Sequence, residues 1–380
     1  MPRTNARASL TWRRVAAWRA SRHHLDERVP RRRRLHVVSE LCGLHAQVMS
    51  SADLTAWTRI QGWRPTDLAT ALWKDRSLVK VWAVRGTLHL LPSSEHALWT
   101  AAIGTSPVIR GERWARYLGI SLSQVDRLIE TIGEALDGRA LTREELADEV
   151  TRRHRDPALG RAMRHSWGGL LKPAAYRGVL CFAPSDGQRV RFTNPRSWLG
   201  VDGSAPEPQD ALREVIRRFV ATYGPVPADE VARWWGEGAT SGARRWLRAL
   251  GAEVVEVEIE GVPAWASTDV VRRIAAHEPP RSVRLLPGFD QYVIGSTKHS
   301  ARLMPGDHRA RVHRQAGWVS PVLAVDGMLE GVWSSARRGS RLTVTIAPFR
   351  TQPAWVKRGA AAEAERLASY LGADLELLWA

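Results

Sequence analysis

The amino-acid sequence predicts an α+β fold with three tandem winged-helix motifs, followed by a C-terminal β-barrel with a terminal helix. The main observation is a repeat: residues 121–200 and 208–271 both run helix, helix, helix, hairpin, which is the order of a winged helix. A second observation is a change at about residue 281, after which strand-like segments alternate with Gly, Asp and Ser turns. With 44% hydrophobic residues, the 380-residue chain can bury several cores.

The chain begins with a basic segment, residues 1–34, which holds eleven arginines against two acidic residues, Asp26 and Glu27. We interpret it as an N-terminal arm, and its charge is equally compatible with a solvated arm and with one that contacts phosphate. Residues 35–120 fit a degenerate first winged helix. In it, VVSELCGLHAQVM is helical to about Leu44, PTDLATALWKDRSL is a second helix, and VKVWAVRGTLHLLP is a strand pair around an RGT turn.

Two clearer copies follow, and we assign them to residues 121–205 and 206–280. In the first copy, Thr142 and Glu145 form a capping-box pattern that opens a helix. The predicted hairpin turns are Asp186-Gly187 in the first copy and Glu260-Gly261 in the second.

Residues 281–380 form the predicted barrel, closed by the helix WVKRGAAAEAERLASYLG. Residues 296–350 contain nine lysines and arginines but only three acidic residues. Arg337, Arg338 and Arg341 cluster at one turn between two strands. A basic hairpin tip of this kind can enter a DNA groove, and a solvated turn is an equally good explanation.

Composition narrows the function class. The net charge of +17 and pI of about 11.0 favour a polyanionic partner, with nucleic acid first. Cys42 and Cys181 are the only cysteines, which excludes a disulfide scaffold, a four-cysteine metal site and a deaminase with a C-x-x-C zinc motif. The sequence has neither a secretory signal nor an apolar run of about 18 residues, so we expect a cytoplasmic protein without a membrane span.

The segment GLHAQVMSS contains the candidate catalytic pair, His45 and Gln47. Residues two apart share a face in an extended segment but not on a helix, and the helical pattern ends near Leu44. We therefore expect both side chains on one side of an extended stretch. From spacing alone, a polar pair that caps the preceding helix is the favoured interpretation.

Five segments change that balance: GLHAQ, LTAWTRI, DRSLVKVWAVRGTLHLLP, LLPGFDQYVIG and VDGMLEGVW. In this order they resemble the winged-helix DNA glycosylases of the AlkZ and YcaQ type, over essentially the whole chain after the arm. The resemblance implies the same three winged helices and barrel. The catalytic motif of that family is Gln-x-Gln or Gln-x-Asp, and here it is His45-Ala46-Gln47, similar to a His-x-Gln branch.

The resemblance implies a monofunctional glycosylase that leaves an abasic site, with Gln47 orienting the attacking water and His45 orienting or deprotonating it. An N7-alkylated purine carries a positive charge and departs without a general acid, so a weak amide is sufficient. Bulky N7 adducts and interstrand crosslinks are implied substrates, as in self-resistance to genotoxic antibiotics. The implied partner is double-stranded DNA carrying alkylated purines, bound by a monomer, and we expect no metal or other cofactor.

The resemblance also places Arg85, Thr87 and His89 of RGTLH beside the active site. Arg85 contacts phosphate or forms a structural salt bridge, and His89 fits a structural role. Asp290 of GFDQY is expected to pair with one of these basic residues. Two alternatives stay open: a winged-helix regulator without enzymatic activity, and a paralogue that shields lesions without excising them.

Overall fold

The computed structural model describes residues 9–106, 120–165, 169–200, 205–236 and 239–380. The chain is a mixed α+β protein, as predicted. It divides into two compact units, and the first of them is discontinuous in sequence. The first unit combines Met1–Asp67 with Ile216–Ala380, and the second is Leu68–Val215.

In sequence, the helices of the first unit come before and after the second unit. They are Trp12–Arg22, Arg34–Glu40, Met49–Arg59, Ala228–Trp235, Thr240–Ala249, Thr268–Ala276, Gln291–Ile294, Arg309–Val312 and Ala354–Leu371, with Pro208–Tyr223 crossing the boundary. Short 3₁₀ turns cover Arg31–Arg33, Gly251–Glu253, Ser300–Leu303 and Gln315–Gly317.

The predicted N-terminal arm is not a solvated arm in the part that the structure describes; residues 1–8 lie outside it. The helix Trp12–Arg22 buries Trp12 and Trp18 in the main core of the first unit. Arg19, which was counted toward a phosphate-binding charge, is itself buried, and it donates hydrogen bonds to Ser296 and to the carbonyl of Pro225. The segment is buried because the tryptophans and alanines between its arginines form an apolar helix face.

A small sheet joins the two ends of the first unit. The strand Ser9–Leu10 runs parallel to Val254–Ile259, which forms a hairpin with Val262–Ser267. The hairpin turns at Glu260 and Gly261, as predicted. Their φ values of 45° and 82° are those that a two-residue hairpin turn requires. A second pair of two-residue strands, Val29–Pro30 and Ile60–Gln61, is also parallel.

The C-terminal region contains an open five-stranded sheet rather than the predicted β-barrel. Its strands, in spatial order, are Val283–Leu286, Val322–Val325, Met328–Arg338, Arg341–Pro348 and Asp374–Trp379. Neighbours are antiparallel except for the last pair, which is parallel. The first and last strands are the two edges, so no closed barrel exists among the described residues.

The terminal helix explains why the sheet stays open. Ala354–Leu371 connects two parallel strands as a crossover, and it packs on both edge strands. Gly359 permits the close approach, because a Cβ atom there would lie 2.7 Å from the side chain of Val283. The prediction ended the chain with this helix and missed the strand Asp374–Trp379, which extends the sheet.

The second unit contains a hairpin followed by a helical segment with a three-stranded sheet. Its helices are His96–Ile103, Leu122–Leu136, Arg143–His154, Pro157–His165, Lys172–Tyr176 and Pro195–Leu199, with Asp67–Ala69 and the π-helical turn Thr70–Lys74 at its start. Its strands are Leu78–Trp82, Leu88–Pro92, Leu141–Thr142, Cys181–Asp186 and Arg189–Thr193.

One prediction for this unit is confirmed in detail, and two are corrected. The Thr142 hydroxyl accepts from the Glu145 amide, and the Glu145 carboxylate accepts from the Thr142 amide, which is the complete capping box. The third predicted helix is instead two shorter helices, and residues 166–168 between them lie outside the described residues. The hairpin turns one residue later than predicted, at Gly187-Gln188, because Asp186 pairs with Arg189.

Among the described residues, no helix has the length and apolarity needed to cross a lipid bilayer. Both cysteines are buried thiols in the structure.

Candidate active site

The segment from residue 41 to 48 connects two helices of the first unit and carries the predicted catalytic motif. The helix Arg34–Glu40 ends earlier than predicted, because Cys42 and Gly43 take φ values of 59° and 90° that a helix cannot contain. Leu44–His45 is extended, and the next helix begins at Met49. The expectation of an extended stretch past a helix end is therefore confirmed.

The two residues of the motif differ in their exposure to solvent. His45 is buried, with 7% of its surface accessible, whereas Gln47 is exposed. The His45 imidazole stacks on the ring of Phe289, with centroids 5.3 Å apart and planes inclined by 16°. A stacked, buried imidazole has a restricted orientation, so the motif combines one fixed side chain with one that water reaches.

Phe289 begins a turn that packs against the motif, and we call residues 289–292 the FDQY turn. The side-chain amide of Gln291 donates a hydrogen bond to the backbone carbonyl of Gly43, two residues before His45. The hydroxyl of Tyr292 is 2.6 Å from the carbonyl of Gly327 and 3.2 Å from that of Ala16, which anchors the turn in the core. This geometry fixes the backbone of the motif as well as the ring of His45.

Asp290 forms a buried ion pair, and its partner corrects the prediction. It pairs with Arg59, at the end of the helix that follows the motif, through contacts of 2.8 and 2.7 Å. The predicted partners were the basic residues of RGTLH. Both side chains of the observed pair are inaccessible to solvent. Asp290 also accepts from the amide of Tyr292 at 2.9 Å, so it caps the short helix Gln291–Ile294.

The guanidinium of Arg59 has further acceptors on its own helix. It donates to the carbonyl of Thr55 at 3.0 Å and to the hydroxyl of Thr58 at 2.8 Å. The FDQY turn thus holds the motif from both sides: at Gly43 before it and at the helix Met49–Arg59 after it. The pair of Asp290 and Arg59 therefore links the FDQY turn to the helix that follows the motif.

The three predicted residues of RGTLH lie in the second unit, at a tight turn between Leu78–Trp82 and Leu88–Pro92. Arg85 is half-buried and has a positive φ of 58°. The Thr87 hydroxyl donates to the carbonyl of Val84 at 3.0 Å, and the buried His89 has Nδ1 3.1 Å from the carbonyl of Thr87. These contacts of Thr87 and His89 stabilise the local turn, which agrees with the structural role expected for His89.

The basic hairpin tip contains three exposed arginines with different contacts. Arg338 and Arg341 face each other across the turn Gly339-Ser340. The Arg337 guanidinium instead donates to the carbonyls of Leu371 at 2.8 Å and Gly372 at 3.3 Å, at the end of the terminal helix. Arg337 therefore has a structural task that the sequence did not show, because its partners lie 34 residues away.

Sequence analysis missed four residues around the motif: Arg59, Phe289, Gln291 and Trp318. Arg59, Phe289 and Gln291 stood inside segments that carried the family resemblance, but no pattern showed that they meet. Trp318 had no signal at all. Its ring lies 5.1 Å from Phe289 at an inclination of 50°, and 56% of the residue is exposed.

No group of three or more His, Cys, Asp or Glu side chains is arranged to hold an ion within the part of the chain that the structure describes.

Comparison with known proteins gives these features a family. Residues 38–370 match the family model of the DNA glycosylase AlkZ-like proteins. The chain belongs to this family. It is 39% identical over 327 residues to an interstrand DNA cross-link repair glycosylase of Streptomyces sahachiroi, which covers 85% of this chain and 87% of the relative. The solved structure of the Streptomyces sahachiroi DNA glycosylase AlkZ superimposes with a TM-score of 0.88 and 35% identity, over 98% of this chain and all of that one. Membership of the AlkZ-like family supports a DNA glycosylase role in repair.

Proposed function

We propose that this AlkZ-like glycosylase hydrolyses the N-glycosidic bond of N7-alkylated purines in duplex DNA, with His45 and Gln47 as its catalytic residues. The observation that carries the proposal is the contrast within the motif: an imidazole fixed by stacking on Phe289, two residues from a solvent-exposed amide. A hydrolytic site needs both features, because the general base must be held in a fixed orientation and a water molecule from solvent must reach the site.

In the proposed reaction, Gln47 orients a water molecule toward C1′ of the damaged nucleotide. Positive charge develops on the sugar as the bond between C1′ and N9 breaks, and the alkylated base leaves with the bonding electrons. N7 alkylation has already given the base a positive charge, so it departs as a neutral molecule. His45 accepts the proton of the water through a ring nitrogen of its imidazole, which acts as the general base. The products are the released base and an abasic site.

We do not expect a covalent lyase step. Such a step requires an amine nucleophile, and the nearest lysine in sequence to the motif is Lys74. Borohydride treatment during the reaction should therefore trap no protein–DNA adduct.

Bulky adducts and interstrand crosslinks are the proposed physiological substrates. The Streptomyces sahachiroi relative is named for interstrand crosslink repair, and 39% identity over most of both chains supports a related substrate. The exposure of Gln47 also favours large lesions, because a catalytic amide at the surface can approach a base that is too large to be extruded into a deep pocket. Self-resistance to a genotoxic antibiotic is the role that fits such a substrate.

Three winged-helix motifs, in residues 35–120, 121–205 and 206–280, are the architecture that we propose for DNA binding, with residues 281–380 as the C-terminal domain. Two of these segments contain three or more helices followed by a hairpin, which supports the assignment. The net charge of +17 supports duplex DNA as the partner. We propose that Arg338 and Arg341 contact phosphate and that the chain acts as a monomer.

The test is release of 7-methylguanine from methylated duplex DNA, in parallel with a bulky N7-guanine adduct. Abasic sites are scored by strand breakage in alkali. Wild type, Gln47→Ala and a matched control, Gln61→Ala, are compared; Gln61 is also exposed and lies in the same unit. We expect release by wild type and the control, and none above background by Gln47→Ala.

Other outcomes have definite meanings. Release of the bulky adduct alone would restrict the substrate class and support self-resistance. Equal release by Gln47→Ala and wild type would contradict the catalytic assignment. Binding of damaged DNA without any release would favour a paralogue that shields lesions.

A further inference from the structure

Trp318 is an unusual residue for a surface. Among the large hydrophobic side chains exposed in the described part of the chain, it is the most accessible, at 56%. Exposing an indole costs hydrophobic free energy, so an exposed tryptophan beside a candidate active site calls for a functional explanation.

The turn that carries Trp318 is a closed structure. The amide of Arg314 donates to the carbonyl of Trp318 at 2.8 Å, and His313 bridges Val319 at the base of the turn. Ala316 and Gly317 take φ values of 55° and 76°, so the tight reversal uses two left-handed residues. The backbone position of Trp318 is therefore determined by hydrogen bonds within the turn.

The Trp318 turn lies directly beside the FDQY turn. A Cβ atom at Gly288 would be 2.9 Å from the carbonyl of Val319, so the two backbones are in close contact there. The rings of His45, Phe289 and Trp318 follow one another at centroid distances of 5.3 and 5.1 Å. An aromatic series thus runs from the buried His45 to an exposed indole.

Two exposed arginines precede the indole in the same segment. The backbone of Arg314 is hydrogen-bonded to that of Trp318. Arg311, on the preceding helix, has its guanidinium 5.0 Å from the ring of Phe349. Aromatic side chains between arginines are typical of surfaces that bind nucleic acid, since the rings stack on bases while the cations contact phosphates.

We propose that Trp318 stacks on a planar aromatic ring of the damaged DNA and so positions the lesion at the His45–Gln47 motif. The inference rests on the proposed function. The ring belongs either to a nucleobase at the lesion or to the aromatic part of a bulky adduct. The two sources share the same chemistry, an exposed π-face, and the experiment distinguishes them.

The test compares wild type with Trp318→Ala, Trp318→Phe and a control, Trp379→Ala, which removes another exposed tryptophan of the same unit. Binding is measured by fluorescence anisotropy with two duplexes stabilised by a 2′-fluoro sugar, one containing 7-methylguanine and the other a bulky aromatic N7-guanine adduct. Release kinetics are measured on methylated DNA and on DNA carrying a bulky aromatic N7-guanine adduct. Thermal unfolding is recorded for each variant.

We expect Trp318→Ala to weaken binding by about 5- to 150-fold, the range associated with loss of one base–aromatic stack. Trp318→Phe should bind nearly as tightly as wild type, and Trp379→Ala should be unchanged. The loss should appear in KM more than in kcat, because Trp318 does not touch the reacting atoms in this proposal. The unfolding temperature should not change, since most of the side chain is already in solvent.

Equal losses on the methylated and the bulky substrate identify a nucleobase as the ring, and a loss on the bulky adduct alone identifies the adduct. Wild-type affinity of Trp318→Ala for both duplexes would overturn the inference, as would an equal loss in Trp379→Ala. The binding assay separates the two proposals. A wild type that binds damaged DNA without releasing a base refutes the proposed reaction, and the Trp318 comparison still gives a result. A wild type that binds no DNA refutes both.

Discussion

The buried pair between Arg59 and Asp290 gives the sharpest test of how the motif is supported. In Asp290→Asn the side chain keeps its shape and its capping oxygen but loses its charge, so the guanidinium of Arg59 stays buried without a counterion. Removing one member of a buried ion pair costs about 3–5 kcal/mol. Here the cost falls near the lower end, because Arg59 retains hydrogen bonds to Thr55 and Thr58.

The assay is urea unfolding, combined with base release under conditions where the variant stays folded. The matched control is Asp269→Asn, since Asp269 also pairs with an arginine, Arg273, at 3.5 Å, but both side chains are largely exposed. An exposed pair of this kind contributes about 0.5 kcal/mol or less. We expect Asp290→Asn to lose about 3 kcal/mol and most of its activity, and the control to lose neither.

The double variant Arg59→Met/Asp290→Leu completes the test. Replacing a buried pair by apolar residues of similar volume is often close to neutral, so this variant should recover stability relative to Asp290→Asn. It should remain slower than wild type if the pair positions the motif. The reasoning is refuted if Asp290→Asn unfolds at the same urea concentration as wild type, or if its activity is unchanged.

Three further predictions concern the neighbouring elements. Gln291→Leu removes the hydrogen bond to the backbone before His45, and single-turnover release should slow while affinity for undamaged DNA, measured by anisotropy, stays constant. The double variant Arg338→Ala/Arg341→Ala should reduce the slope of log Kd against log salt by about 2, which corresponds to the loss of two phosphate contacts. Arg337→Ala should leave the slope unchanged and lower the unfolding temperature. Burial and nearby arginines lower the pKa of His313 to about 4, so only the unfolded chain gains this proton between pH 6.5 and about 4; the urea midpoint should fall with pH across that range, and less steeply in His313→Gln.

Local elements could be predicted where a few neighbouring residues determine them. The capping box at Thr142 and Glu145 and the hairpin turn at Glu260-Gly261 are both contained in the residues that form them. The extended stretch at His45 was predictable because the apolar helical pattern ends near Leu44, although the helix itself ends at Glu40.

Long-range pairings could not be predicted from one sequence. The partner of Asp290 is 231 residues away, and any of the many arginines satisfies the same charge requirement. The predicted barrel failed for a related reason. Strand-like segments do not reveal whether the first and last strands meet, and here a helix packs on both edge strands of an open sheet.

The discontinuity of the first unit has a consequence for biosynthesis. The motif at residues 45–47 leaves the ribosome long before the FDQY turn, whose contacts with Gly43 and Arg59 span 248 and 231 residues. At a translation rate of about 5–20 residues per second, the FDQY turn is synthesised roughly ten to fifty seconds after the motif. A nascent or prematurely terminated chain consequently lacks the contacts that hold the motif. If His45 and Gln47 act as proposed, glycosylase activity begins only after the FDQY turn has been made and has docked.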